Sequence, residues 1–288
     1  MNAERIATIL QIALIAGSVA IWAAVIRACV RRRCPLRLDP GPSPEAVQLS
    51  LGHVLAVVLI LWIVSSLGYG AFDQFAPLVA DPGIDEMVRD TVVLVLGECA
   101  AVAFMLLYLG LAKPLAGLFP SDPASRRRPL QIPLRAALAY VAVFPLVNYL
   151  LLYLGIFLSE KVLHQEVIPI HPAMQLIDSP QATPAVKALV ILSAVVLAPL
   201  AEELFFRGMV QNYLLAVVRR PWLAIALSAG LFTAVHSPLY HTFPALFLLG
   251  GSFGWIYYRY RSLAYPIAFH TLFNAGTFLF YFLTGELQ

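Results

Sequence analysis

Residues Ala185 to Val218 read AVKALVILSAVVLAPLAEELFFRGMVQNYLLAVV, and the reading of this stretch decides the fold. It is apolar almost throughout, yet Pro199 stands in its middle and Glu202, Glu203 and Arg207 follow at once. A helix of this length rises about 50 Å, whereas the hydrocarbon core of a bilayer is about 30 Å thick. The stretch is too long for one straight crossing. Pro199 predicts a kinked helix, a span continued by a second helical piece, or both.

Seven further apolar runs flank it, each bounded by charge or by Pro and Gly: Ile6 to Val30, Val47 to Ala71, Val88 to Ala112, Leu134 to Leu158, Trp222 to Leu239, Phe243 to Tyr258 and Leu263 to Leu283. Together they predict an all-α, polytopic transmembrane helical bundle of about eight spans. Composition agrees. The 288 residues are 60% hydrophobic and only 12% charged, with a mean hydropathy of +0.81, whereas soluble domains carry about 25% charged residues. Disorder, a collagen repeat, a disulfide scaffold and a nucleic-acid-binding arm are excluded on the same grounds. The expected surroundings are a lipid bilayer, with no nucleic acid.

The first run is too long for a cleaved signal peptide and has only Arg5 before it, so it reads as an anchor. Fourteen of the 19 Lys and Arg residues fall in alternate loops: Arg27 to Arg37, Lys113 to Arg135, Arg219 with Arg220, and Arg259 with Arg261. The positive-inside rule therefore places those loops in the cytoplasm and both termini outside; the expected location is the inner (cytoplasmic) membrane. Cys29, Cys34 and Cys99 give no disulfide framework and no metal spacing. The chain divides into residues 1–180, four spans of unassigned role, and residues 181–288, which hold the chemistry.

Thirty-one of the 35 charged residues lie at span ends or in loops; the exceptions are Glu98, Glu202, Glu203 and Arg207. An ionisable group at membrane depth costs at least about 2.5 kcal/mol and usually faces a cavity or a partner. Glu203 and Arg207 stand at i and i+4 on one helix face, in the favourable order for pairing. Glu202 is turned about 100° away, with no local partner. Pro199 removes the partner of the Val195 carbonyl, favouring a wet, irregular pocket. Two readings stand side by side: a buried pair holding helices together, or an unpaired Glu202 serving as a general base. Glu98, beside Gly97, is expected to make a helix-packing hydrogen bond.

Two histidines add to the pattern. His236 closes Phe232-Thr-Ala-Val-His236 well inside the sixth run, and His270 shares a face with Asn274 in the eighth. Neutral His, carboxylate and amide together can activate a water, bind a divalent metal or receive an oxyanion. His53, His164, His171 and His241 fall at span ends or in outer loops and are expected to be solvated.

The order E-E-x-x-x-R, F-x-x-x-H, H-x-x-x-N on successive late helices resembles the CPBP intramembrane proteases, also called the CAAX protease and bacteriocin-processing or Abi family. The matching residues are Glu202, Glu203 and Arg207, then Phe232 and His236, then His270 and Asn274. This resemblance spans about residues 185 to 280. It implies a membrane helix bundle that hydrolyses a peptide bond within or beside the bilayer. By matched position it implies that Glu202 and His236 activate the attacking water and that His270 and Asn274 stabilise the oxyanion. Glu203 and Arg207 would then orient Glu202 and shape the cleft. A zinc or other divalent metal held by Glu202, His236 and His270 is compatible with the resemblance, and so is metal-free chemistry. The site is expected where spans five, six and eight meet, approached from the cytoplasmic half.

Other classes compete. Gly250-Gly251-Ser252-Phe253-Gly254 fits G-x-S-x-G, which with His270 would make a rhomboid-like serine protease. Glycine and serine in a membrane helix more often mark close packing. A proton-coupled transporter would use intramembrane Glu, Arg and His as a relay, but no repeat of two halves is visible. A non-catalytic immunity protein is the last alternative.

Overall fold

The computed structural model describes residues 3–31, 33–36, 38, 50–59, 86–111, 118, 130–164, 171–180 and 182–285. Most of the second apolar run lies outside these residues, as do Lys113 and Arg126 to Arg128 of the third loop. The described residues form nine helices and no strand. These are α1 (Ala3–Val30), α2 (51–59), α3 (Glu86–Leu111), α4 (Gln131–Lys161), α5 (Pro172–Asp178), α6 (Pro184–Val218), α7 (Pro221–Ala234), α8 (Phe243–Tyr260) and α9 (Ala264–Thr284). The all-α bundle expected from sequence is what the structure shows.

Among the described residues five helices are long and apolar enough to cross a membrane: α1, Thr91–Leu111 within α3, α4, α6 and α9. Their outward residues suit lipid rather than water. Ile12, Val19, Leu107 and Phe157 are all more than half exposed, a pattern that a water-soluble surface avoids over wide areas. The sixth run is shorter than its hydropathy suggested. Helix α7 stops at Ala234, so His236 sits in the turn beyond it, where its N–H reaches only the Thr233 carbonyl at 3.1 Å.

The long stretch is one continuous helix with two π turns, Ser193–Leu197 and Phe206–Gln211. Thr183 caps its start by accepting from the Val186 N–H at 3.3 Å, with Pro184 at the first turn. Arg219, in left-handed conformation, ends it. The extra residue in the first π turn shifts the register just ahead of Pro199. There the Ala198 N–H bonds to the Ser193 carbonyl, five residues back. The next donor in that register is the nitrogen of Pro199, which carries no hydrogen, so Ala194 rather than Val195 is the carbonyl that loses its partner. A similar break occurs in α4. Beyond Pro145 the Leu146 N–H turns to Val143, and the Ala142 carbonyl instead accepts from Ser18 Oγ at 2.9 Å and Trp22 Nε1 at 3.0 Å, both on α1. Those bonds fasten α1 to α4.

An aromatic core joins α4, α6, α7, α8 and α9 through Phe144, Phe206, Phe232, Phe253, Phe269 and Phe273. On the other side of α6, Val57 of α2 and Met105 and Leu109 of α3 pack with Leu204 and Met209. Helix α6 is thus enclosed on two sides, and its polar residues are held away from lipid. Cys29 and Cys34 are joined as a disulfide across the end of α1, correcting the expectation of none. Just beyond the helix the Arg33 N–H bonds back to the Ala28 carbonyl at 2.8 Å, folding the chain over the helix end, which spacing alone does not reveal.

Candidate active site

Glu203 and Arg207 are fully buried. The guanidinium donates from Nη1 to Glu203 Oε1 at 2.9 Å and from Nη2 to the Gly250 carbonyl at 2.9 Å. It lies 4.8 Å from the Phe232 ring centre and 5.1 Å from that of Phe253, so aromatic faces supply the rest of its surroundings. One turn further along α6, Gln211 donates to the Gly254 carbonyl at 2.9 Å. Two residues of α6, four apart, therefore grip two carbonyls of α8, four apart. This needs close approach: a Cβ on Gly250 would sit 3.3 Å from the Ala229 Cα, and one on Gly254 would run into the Gln211 amide. Glycines of the G-x-S-x-G stretch serve packing. Ser252 spends its hydroxyl on the Leu248 carbonyl at 2.8 Å and is not among the residues lining the cavity described below, so no Ser252–His270 dyad is assembled.

The same Glu203 Oε1 accepts from His270 Nδ1 at 3.0 Å. A carboxylate only accepts, so Nδ1 carries the hydrogen and Nε2 is turned outward. That Nε2 lies 3.8 Å from Glu202 Oε2. Glu202, rotated from its neighbour by one residue of helix, keeps 28% of its side chain exposed. His236 is fixed in the same way: its Nδ1 donates to the Phe232 carbonyl at 2.7 Å, which leaves Nε2 with a lone pair. Phe232 stands between the two histidines, with ring centres 4.8 Å from His236 and 6.1 Å from His270.

Glu202, His236, His270 and Asn274 all line one cavity of about 380 Å³, whose other walls are mostly apolar, including Phe144, Val147, Ile156, Leu246 and Phe273. A largely apolar pocket with a few convergent polar groups is the usual form of a small-ligand or active site. Asn274 donates one amide hydrogen to Ala194 at 2.7 Å, which is the carbonyl orphaned before Pro199. Its second amide hydrogen remains.

Two histidines expected to be solvated also line the cavity, and one of them is buried instead. His241 is buried, with its Nδ1 unpartnered among the described residues; burial pulls its pKa below the ordinary histidine value. His171 lines the cavity too and stays exposed, as expected; partial desolvation, and then the charge of His236, lower its pKa. Neither shows in the sequence, because each lies in a connection whose place is set by packing. A Cβ on Gly155 of α4, for instance, would overlap the His241 carbonyl. Gln211 and Asn212 were also missed; Asn212 donates to the Gly208 carbonyl at 2.9 Å and to the Tyr257 hydroxyl at 2.7 Å. Their signal was available, since polar amides inside an apolar helix predict interhelical bonds. Glu98 makes the expected packing bond, to the Ser193 hydroxyl on α6, and Glu202 lies within its electrostatic reach.

The donor types Glu202, His236 and His270 suit zinc, and both imidazoles carry the outer hydrogen bonds that ligand histidines usually have. Their arrangement does not fit. Among the described residues no three His, Cys, Asp or Glu side chains come together closely enough to hold a metal ion.

Residues 184–276 match the family model described as type II CAAX prenyl endopeptidase Rce1-like. The match covers about a third of the chain, the part that carries the three motifs. The Rce1-like segment runs from the start of α6 into α9 and contains the diglutamate, both cavity-facing histidines of the motifs and Asn274. This similarity supports an intramembrane endopeptidase in general terms and a protein substrate at the bilayer. No curated protein and no solved structure matches the chain.

Proposed function

We propose that the chain is an intramembrane endopeptidase in which Glu202 and His236 activate a water for attack on a peptide bond of a membrane-associated protein or peptide. The observation that carries this reading is the cavity itself, which gathers Glu202, His236, His270 and Asn274 against an apolar wall. Glu202 is the one carboxylate among its lining residues. As the water oxygen bonds to the scissile carbon, its proton passes to the carboxylate or to His236 Nε2. The carbonyl oxygen takes up the charge and receives the free Asn274 N–H and, when His270 is protonated, His270 Nε2–H. Collapse breaks the C–N bond, and the leaving amine collects the proton from the same acid. Glu203 and Arg207 hold His270 by its inner nitrogen.

A metal would add Lewis-acid activation of the water, but the steps above use only side chains, because the three candidate ligands are not arranged to hold one. We place the chain in the inner membrane with both termini outside on the strength of its arginine distribution, although the Cys29–Cys34 disulfide favours an oxidising compartment at the end of α1.

The test uses the purified full chain in detergent with two internally quenched peptides, one farnesylated and ending in a CAAX box, the other an apolar transmembrane helix. Glu202→Gln should abolish cleavage of whichever is cut, a loss of about 10²–10⁴ expected for a general base. A Glu202→Gln protein that cleaves at the wild-type rate would sink the assignment. In cells, membrane precursors that accumulate in a Glu202→Ala strain identify the natural substrate.

A further inference from the structure

The ring commitments of the cavity histidines carry an inference beyond the motif residues, and it rests on the protease reading above. A proton-accepting and a proton-donating imidazole are different tools, and the backbone decides which each one is. His236 gives its Nδ1 hydrogen to a carbonyl, and His270 gives its own to a carboxylate. In their neutral forms both therefore present a lone pair at Nε2, the wrong sign for holding an oxyanion. Asn274 has already spent one of its two amide hydrogens on Ala194. The residues that the motif nominates as oxyanion donors thus leave one free amide hydrogen between them unless His270 is protonated.

His171 is committed the opposite way. Its Nδ1 accepts the Ala173 N–H at 3.2 Å. A nitrogen that accepts carries no hydrogen, so neutral His171 is the Nε2–H tautomer. It lines the cavity while staying exposed, and His236 lies within its electrostatic reach. Protonation at Nδ1 would break the bond to Ala173, so the backbone holds this ring neutral and donating.

We propose that His171 is a further catalytic residue, donating from Nε2–H to the scissile carbonyl oxygen as it gains negative charge. The donor arrives from the connection before α5, outside the Rce1-like segment. That gives the first 180 residues a part in the chemistry.

The test separates the donor from the cap. Ser and Asp both cap helix starts well, so His171→Ser and His171→Asp keep the bond to Ala173 and lose the imidazole N–H. On whichever quenched peptide the wild-type chain cleaves, kcat should fall about 10²–10³-fold with KM little changed, the loss seen for one oxyanion donor. Thermal midpoints should stay at the wild-type value. His171→Asn, which caps and still offers an amide hydrogen, should recover part of the rate. A folded Ser or Asp variant turning over at the wild-type rate overturns the proposal. So does loss of the fold in both, which would make His171 structural. Glu202→Gln is run beside them. If it is inactive while His171→Ser is fully active, this inference fails alone; if Glu202→Gln is active, the protease reading fails first.

Discussion

Replacing Arg207 by Met removes a cation from a site with no access to water, since Arg207 and Glu203 are both 0% exposed. Three groups lose their partner at once. Glu203 is left as a buried carboxylate with only the His270 N–H at 3.0 Å. The Gly250 carbonyl loses its donor at 2.9 Å. The faces of Phe232 and Phe253 lose their cation. Breaking a buried pair from one side typically costs about 3–5 kcal/mol, most of it the orphaned charge. The carbonyl and ring terms share that site and do not simply add, so we expect about 4 kcal/mol for Arg207→Met. Glu203→Gln/Arg207→Met removes the orphaned charge as well and should recover about 2 kcal/mol of this, because neutral isosteres often replace buried pairs at little cost. Unfolding by SDS in mixed micelles, followed by tryptophan fluorescence, reads both numbers. Arg207→Met within 1 kcal/mol of wild type, or a double variant no more stable than the single one, would refute the idea that this pair is a closed, desolvated unit.

Other outcomes follow from single bonds. Ser252→Ala should leave cleavage unchanged, because its hydroxyl is spent on Leu248; loss of activity would revive the serine dyad. Asn274→Ala should destabilise by about 1–3 kcal/mol as well as slow cleavage, because it orphans the Ala194 carbonyl a second time; full stability with slow cleavage would show that the Ala194 bond contributes nothing to the fold. Dialysis against EDTA should leave the rate intact, since no three ligands are grouped. A loss restored by zinc would show that substrate binding draws Glu202, His236 and His270 together.

The sequence carried the helices and the charged pair because both depend on local period. Apolar runs of 20 residues announce spans, and Glu203 with Arg207 four residues on announces one helix face. Depth was harder. His236 was expected well within a straight helix and lies in a turn, because hydropathy continues through Val235 and Leu239 after the backbone has left the helix at Ala234. The π turns were invisible, having no hydropathy signature, and they move the orphan carbonyl from Val195 to Ala194. That single-residue shift decides what Asn274 bonds to. His171 and His241 stand in connections, and only the packing of α4, α5 and α7 brings them to the cavity.

The two adjacent glutamates show why one residue of helix rotation matters. Glu203 turns inward, where Arg207 cancels its charge, so the layer beneath the cavity is neutral overall and can be sealed by Phe232 and Phe253. A sealed neutral layer orients His270 through one hydrogen bond without adding a net field at the cavity. Glu202 turns outward by about 100° and reaches the space that the histidines line. Its charge is therefore the dominant one at the cavity floor, modulated from behind by Glu98. Exchanging the roles by moving the pair one residue would bury the base and expose the anchor. The motif is thus two functions on one turn of helix, and the spacing that makes Arg207 reach Glu203 is the same spacing that leaves Glu202 free.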